Sequence, residues 1–288
     1  MKQNNRALPA LHLSVLLFGL SGLFAKWVDL PSLTIVFGRV LFSSLFLFAL
    51  HKIGKRTLRP PTSRRLVQLL AAGFLLGVHW WSFYEAIQRT TVALGLLTFS
   101  SFPIFTVFLE PIFFREKIRG QNLIFALLTF GGILLVLPLN QGGVELTGAL
   151  LGVFSGFLYA LLCTMNRHFA KDCEAGLTAF WEQSAAAVFL LTPALLLRAV
   201  PTPRDVLLLL LLGVFFTGLA HTLFIRSLKD IPAQTAGIIS SLEPVYGAVF
   251  AALFLGERLS VRELVGGGII LLVTILSSFK ASKNKYEK

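Results

Sequence analysis

Charged side chains are scarce in this sequence. Asp, Glu, Lys and Arg together make up 14% of its 288 residues, whereas soluble globular domains carry about 25%. Hydrophobic residues account for 55% of the chain, and the mean hydropathy is +0.77. A chain with so few charges cannot cover its surface with groups that water solvates, so most of that surface must face another medium. The composition therefore excludes a soluble protein and predicts one that crosses a lipid bilayer many times.

Cysteines and catalytic motifs are also few or missing. Cys163 and Cys173 lie ten residues apart on or beside one predicted helix, a separation of about 15 Å that does not suit a disulfide. The sequence holds no P-loop, no HExxH or Cys/His metal pattern and no Gly-x-Ser-x-Gly elbow. ATP is thus excluded as the direct energy source, and we expect no metal, no cofactor and no enzyme activity. An enzyme acting on lipid phosphates is disfavoured because the acidic residues are scattered along the chain.

Long apolar runs, separated by polar or turn-forming clusters, fill the sequence from one end to the other. The first run begins after a basic stretch, as in a signal peptide, but its length and the lack of a small-x-small cleavage site favour an uncleaved first span. The apolar runs predict an all-α polytopic membrane protein with ten transmembrane helices. The predicted spans are 8–26, 32–50, 67–87, 92–114, 120–138, 147–168, 177–198, 206–227, 234–255 and 263–280.

Lys and Arg are distributed unevenly between the two sides that these spans define. Placing both termini on one side gives that side 19 of them and the other side six, with Arg39 inside a span. Because cytoplasmic loops of membrane proteins are enriched in Lys and Arg, the count predicts cytoplasmic N- and C-termini in a multi-pass membrane protein. The net charge of +12 is then explained by topology, and no nucleic-acid partner is expected.

The sequence resembles itself when it is shifted by 141 residues. The shift aligns Ser100 with Ser241, Pro103 with Pro244, Gly77 with Gly218, Phe83 with Phe224 and Glu116-Lys117 with Glu257-Arg258. We interpret the two glutamates as helix-end residues that pair with Lys117 or Arg258. The offset covers five spans, an odd number, so the two copies must insert in opposite orientations. The sequence therefore predicts two inverted-topology five-helix repeats, at 1–140 and 147–288.

These features resemble the ten-helix EamA-type branch of the drug/metabolite transporter superfamily. The similarity rests on the Ser-Ser-x-Pro stretch leading to Glu116-Lys117-Ile118, on its second copy ending in Glu257-Arg258-Leu259, and on Phe37 to Arg39. The resemblance implies an inner-membrane carrier of small metabolites, often an exporter of amino acids or related compounds, that works by alternating access. Span 1 has no acidic residue, so the proton-coupled mechanism of the small four-helix multidrug relatives is not implied.

Three alternatives stay open at this point. A nucleotide-sugar or sugar-phosphate carrier would need several basic residues in its cavity, and only Arg39 is deep enough in a span. A drug carrier of the same superfamily would share the fold. A channel or a non-transporting membrane protein would lack saturable exchange. The expected partners are a small-molecule solute and the lipid bilayer, with protons as a candidate coupling ion, and we expect a monomer or a weak homodimer.

Polar, aromatic and ionisable residues inside the spans are the candidates for transport. A charged side chain at the bilayer centre costs at least about 2.5–3.5 kcal/mol, so it usually pairs or lines a water-filled cavity. Aromatic rings beside polar groups suit an amphipathic organic solute. The structural alternative for each is helix packing with satisfied side chains. The candidate substrate-binding residues are His79, Trp80, Tyr84, Ser100, Trp181, His221 and Glu243.

A second set of residues is assigned to coupling or gating. Proline in a span weakens the backbone ladder, a feature of sites built from interrupted helices, and buried charges can couple the two halves. Glu110 also suits an ion pair with nearby Arg115. If protons drive transport, Glu243 or His79 is the expected carrier. The candidate coupling or gating residues are Arg39, Glu110, Glu182, Pro103 and Pro244.

Overall fold

A computed structural model describes residues 7–115, 120–136, 143–240, 242–262, 264–269, 271–273 and 276 of the chain. Over these ranges the secondary structure is helical, without a strand. Its first helices are α1 (Ala7–Ser21), α2 (Phe24–Trp27), α3 (Ser32–Ile53), α4 (Ser63–Arg89), α5 (Val92–Phe99), α6 (Phe102–Phe114) and α7 (Gly120–Val136). They are followed by α8 (Val144–Phe169), α9 (Ala175–Leu196), α10 (Pro203–Gly213), a π-helix (Val214–Leu219), α11 (Ala220–Ser227), α12 (Ala233–Ser240) and α13 (Glu243–Leu255).

Seven stretches within the described residues are long and apolar enough to cross a bilayer. They are Ala7–Trp27, Ser32–Ile53, Ser63–Arg89, Val92–Phe114, Val144–Phe169, Ala175–Leu196 and Pro203–Ser227. Shorter apolar helices at Leu123–Gly132, Glu243–Leu255 and Leu264–Val273 lie in the other three predicted spans. The prediction of an all-helical, multi-pass membrane protein is confirmed, and the ten-helix inverted repeat stays a prediction.

Two predicted spans are interrupted in the middle. The span predicted at 92–114 breaks between α5 and α6, around Ser100 and Ser101. Pro103 lies in the first turn of α6, where backbone N–H groups have no partner within the helix, so proline costs no hydrogen bond there. The span predicted at 234–255 breaks between α12 and α13, and Pro244 holds the same position in α13. Glu116, Lys117 and Ser241, which carried part of the repeat, lie outside the described residues.

Helices from residues 1–140 pack mainly on helices from residues 147–288. The most extensive contacts join α4 to α8 and α9, and α3 to α9, and α1 packs on α11 and α13. Close approach needs small residues: a Cβ at Gly73 would meet the Glu182 carbonyl oxygen at 2.6 Å. At Gly19, a Cβ would meet the Glu243 carbonyl oxygen at 2.8 Å. The bundle is therefore one interlocked body in which each half is packed against the other.

Candidate functional site

A cavity lies between the two halves, near the middle of the bundle. Its walls come from α1, α3, α4 and α5 on one side and from α8, α11 and α13 on the other. The lining residues are Phe18, Ser21, Arg39, His79, Trp80, Phe83, Phe99, Tyr159, His221 and Glu243. The volume of the cavity is about 20 Å³, which is room for one or two waters. A small organic solute would fit only after the halves move apart.

Arg39 is the basic residue of this lining and is almost fully buried, at 1% exposure. Its Nε donates to Thr217 Oγ1 at 3.0 Å, and Thr217 lies in the π-helix that interrupts the eighth predicted span. The guanidinium carbon sits 4.0 Å from the Trp80 ring centroid and 5.0 Å from that of Tyr84. The nitrogens Nη1 and Nη2 have no hydrogen-bond partner. The side chain is thus held in place from one edge while its other edge is left unpaired.

Glu243 begins α13 and brings a carboxylate to the same cavity. Its residue exposure is 4%, and because the Nη atoms of Arg39 have no partner, no hydrogen bond joins the two side chains. The opposite charges interact electrostatically from a distance. Burying two separated charges costs several kcal/mol each unless other groups compensate. The cavity therefore holds one basic and one acidic side chain that are not hydrogen-bonded to each other.

His79 lies on α4 and is anchored from one ring nitrogen. Nδ1 is 3.1 Å from the Ser155 carbonyl oxygen and 2.8 Å from Ser155 Oγ, and Ser155 Oγ donates to the His79 carbonyl oxygen at 3.0 Å. A carbonyl can only accept, so Nδ1 carries the proton in a neutral ring and Nε2 is an acceptor. The ring also packs on Tyr159, with centroids 5.0 Å apart. His79 thus presents an aromatic, hydrogen-bonding surface in a fixed orientation.

His221 and Glu182 form a buried pair behind the cavity wall. His221 Nε2 is 2.8 Å from Glu182 Oε2, at 1% and 0% side-chain exposure. Asn166 Nδ2 donates to the same oxygen at 3.4 Å. His221 also packs edge-on against Trp80 at 5.7 Å between centroids. The pair links α9 to α11 and positions His221, and Glu182 itself does not line the cavity.

Three residues predicted for substrate binding do not line the cavity, although Tyr84 lies against Arg39 and Ser21, which do. Tyr84 donates its hydroxyl to the Ser21 carbonyl oxygen at 2.7 Å, and Ser100 Oγ donates to the Leu96 carbonyl oxygen at 3.1 Å. Trp181 Nε1 donates to the Leu58 carbonyl oxygen at 2.9 Å, in the loop after α3. The remaining four, His79, Trp80, His221 and Glu243, all line the cavity.

The residues predicted for coupling or gating are divided in the same way. Arg39 lines the cavity, whereas Pro103 and Pro244 start the helices that follow the two breaks. Glu110 accepts from Arg167 Nη1 at 2.5 Å and from the Ala233 backbone N–H at 2.7 Å. The predicted pairing of Glu110 with Arg115 is replaced by this contact between halves, because the end of α8 packs beside α6.

Half of the lining was not predicted from sequence. The missed residues are Phe18, Ser21, Phe83, Phe99 and Tyr159. Among 27 phenylalanines, nothing in the sequence separates those facing the cavity from those facing lipid. The Phe83 position, shared with Phe224 in the 141-residue shift, was the signal available. Tyr159 could have been found as a tyrosine in the middle of a span, since its buried hydroxyl needs a partner.

Comparison with known proteins identifies the family. The EamA-like transporter family matches residues 6–137 and again residues 146–279. The chain belongs to the EamA-like transporter family. It is thereby a member of the drug/metabolite transporter superfamily, as its sequence resemblance indicated.

Relatives of known name agree with this family assignment. An uncharacterized transporter, YxxF, of Bacillus subtilis (strain 168) is 27% identical over 92% of this chain and 87% of the relative. The threonine/homoserine exporter RhtA of Escherichia coli (strain K12) is 29% identical over 89% of this chain and 84% of the exporter. The same exporter of Salmonella typhimurium (strain SL1344) is 30% identical, over 88% of this chain and 82% of its own.

A solved crystal structure shares the fold of this EamA-like protein. It has a TM-score of 0.77 and covers 98% of this chain and 99% of its own, at 15% identity. At that identity the likeness concerns the fold alone. The described residues contain no group of three His, Cys, Asp or Glu side chains that could hold a metal ion. The candidate site is a small cavity with aromatic walls, lined also by one arginine, Arg39, and one glutamate, Glu243.

Proposed function

We propose that this EamA-like protein is a secondary carrier that exports amino acids or related small organic metabolites across the inner membrane. The observation that carries the proposal is the cavity, which is lined by side chains from both halves of the chain. A site at the interface of two repeats is where inverted-repeat transporters hold substrate. Rocking of one half against the other would then expose the cavity first to one side of the membrane and then to the other.

The two matches of the family, at 6–137 and 146–279, support a division into repeats at 1–140 and 147–288. The count of 19 Lys and Arg on one side against six on the other supports cytoplasmic termini. The relatives named threonine/homoserine exporters support amino acids as the solute class and export as the direction. Protons stay a candidate coupling ion.

A carrier of nucleotide sugars or sugar phosphates is the second candidate. Recognition of a phosphate normally uses several Arg or Lys side chains. Arg39 is the one Arg or Lys side chain among the lining residues, and Glu243 places a carboxyl group in the same cavity. A cavity without excess positive charge favours a solute without net charge, so we place this alternative second.

Counterflow into proteoliposomes tests the proposal. The purified protein is reconstituted with unlabelled L-threonine or L-phenylalanine inside, and the same labelled amino acid is added outside. A carrier exchanges the two pools, so the label should rise above its equilibrium level before it falls, and the effect should saturate. Protein-free liposomes provide the control. Equilibration without an overshoot would indicate a channel, and an overshoot seen only with a sugar phosphate or nucleotide sugar would replace the amino acid.

A further inference from the structure

The structure assigns the recognition of a zwitterion to Arg39 and Glu243: the guanidinium binds the carboxylate of a free α-amino acid, and the Glu243 carboxylate binds its ammonium group. This inference rests on the proposed function and specifies the substrate chemistry of the same cavity. It begins from two buried ionisable side chains, at 1% and 4% exposure, that lie on opposite halves of the chain and share one cavity.

Arg39 has the geometry of a carboxylate binder. Its Nε already donates to Thr217, and its guanidinium carbon lies over the Trp80 ring, 4.0 Å from the centroid. The two terminal nitrogens, Nη1 and Nη2, are left without partners. A carboxylate accepts two parallel N–H bonds from such an edge. A bound carboxylate would therefore give these two nitrogens the acceptors that no side chain or backbone group of the described residues supplies.

Glu243 supplies the complementary charge. It faces the cavity from α13 in the second half, whereas Arg39 belongs to α3 in the first. A solute that carries an ammonium and a carboxylate on the same carbon, as an α-amino acid does, can bind both side chains at once and thereby connect the halves. A solute with only one of these groups leaves the other buried charge unpaired, which is the larger cost.

The rest of the lining describes the side chain that this amino acid would carry. Phe18, Trp80, Phe83, Phe99 and Tyr159 are aromatic, and His221 is already paired with Glu182. The cavity therefore holds no third, unpaired charged side chain among the residues that line it. An uncharged side chain, apolar or with a single hydroxyl, is expected to bind best, and lysine or aspartate is expected to bind poorly.

Competition with blocked amino acids tests the inference in the counterflow assay. The competitors are the free amino acid, its methyl ester, which lacks the carboxylate, and its N-acetyl derivative, which lacks the ammonium. For the wild-type protein we expect each derivative to compete at least about 10-fold less well than the free amino acid. Equal competition by all three, with counterflow intact, would overturn the inference and leave the carrier function standing. Absence of counterflow with any solute would instead overturn the proposed function.

Variants assign each charge to its group. In Arg39→Gln, the methyl ester should compete only about 3-fold less well than the free amino acid, or better. In Glu243→Gln, the same should hold for the N-acetyl derivative. The matched controls, Arg226→Gln and Glu145→Gln, change exposed residues and should keep wild-type discrimination. If Arg39→Gln does not fold, Arg39→Lys replaces it, because lysine keeps the positive charge but lacks the two parallel N–H donors of a guanidinium. Competition by the free amino acid should then be at least about 3-fold weaker than in the wild-type protein. Unchanged discrimination in either cavity variant would remove that residue from substrate recognition.

Discussion

The two ends of the helical bundle are held together by different interactions. At the end that carries the predicted cytoplasmic loops, ion pairs connect the two halves of the chain. They are Arg56–Glu174, Arg65–Asp172 and Arg167–Glu110. At the opposite end, the ion pair found among the described residues is Arg89–Glu85, which lies within α4. Among the described residues, ion pairs therefore join the halves at one end and not at the other.

The opposite end uses backbone groups instead. Glu257 accepts from the Val92 N–H at 3.1 Å and from the Ala93 N–H at 3.4 Å, at the start of α5. This replaces the predicted local pairing of Glu257 with Arg258, because unpaired N–H groups at a helix start attract a carboxylate. Lys26 Nζ donates to the Thr90 carbonyl oxygen at 2.8 Å, within the first half.

This difference suggests how each end would open. In an alternating-access carrier the two ends open in turn, and each must separate the contacts that close it. The end that carries the predicted cytoplasmic loops is called the basic end. Opening it separates paired side-chain charges, whose attraction depends on burial and on the salt concentration. Opening the other end separates a carboxylate from a helix start. The contacts that close the two ends are expected to differ in strength and to break independently of each other.

The largest effect is expected at Glu110. Its side chain is fully buried and binds both Arg167 and the Ala233 N–H, so Glu110→Ala leaves a charge and a buried donor without this acceptor. We expect a loss of about 2–4 kcal/mol in the free energy of unfolding, measured by denaturation of the purified protein in detergent. Glu145→Ala, at an exposed site in the first turn of α8, is the control. A change below about 0.5 kcal/mol for Glu110→Ala would show that this pair does not hold the basic end closed.

A smaller effect is expected at Arg65, with Cys173 as the reporter. Burial raises the pKa of the Cys173 thiol to about 11, and the neighbouring Asp172 carboxylate adds to the rise. Because the pKa is raised, the thiol is protonated at neutral pH, and at pH 8 about 0.1% is thiolate. In a Cys163→Ser background, maleimide labelling should therefore be slow and should rise about tenfold for each pH unit between 7 and 10.

Arg65→Gln removes the partner of Asp172 and should speed this labelling about fivefold. That factor corresponds to a loss of about 1 kcal/mol from the free energy that keeps the basic end closed. The Arg65 charge itself lowers the pKa of Cys173, so its removal alone would slow the reaction. Faster labelling therefore reports exposure. Arg56→Gln breaks a pair whose side chains are 62% and 49% exposed and should change the rate less than twofold. A rate for Arg65→Gln within twofold of the unsubstituted rate would contradict a basic end that this pair holds closed.

The sequence predicted the basic end but not its pairs. Lys and Arg counts identify a side because topology depends on local composition. The partners of these cations are far away in the chain: Arg56 and Glu174 are 118 residues apart, and Arg167 and Glu110 are 57 apart. Such pairings depend on how the helices pack, and a single sequence does not state this.

The candidate site shows the same limit. Arg39, His79, Trp80, His221 and Glu243 could be predicted because each is an unusual residue for a span, and all of them line the cavity. Tyr84, Ser100 and Trp181 met the same criterion but do not line the cavity, and each donates a hydrogen bond to a backbone carbonyl oxygen. Rarity in a span identifies a polar residue that needs a partner. Which partner it finds is decided by the helix that packs opposite.

The smallest effect is expected at Glu257. Glu257→Gln keeps one oxygen that can accept from the Val92 N–H, and it loses the charge together with the longer contact to the Ala93 N–H. An anion near a helix N-terminus contributes about 0.3–1 kcal/mol. Unfolding should shift by that amount, and Cys173 labelling at the basic end should stay within twofold of the unsubstituted rate. Arg258→Gln, at the neighbouring exposed position, is the control for a change in charge alone. A labelling increase as large as that of Arg65→Gln would mean that loosening one end opens the other, and the two closures would then be one coupled device.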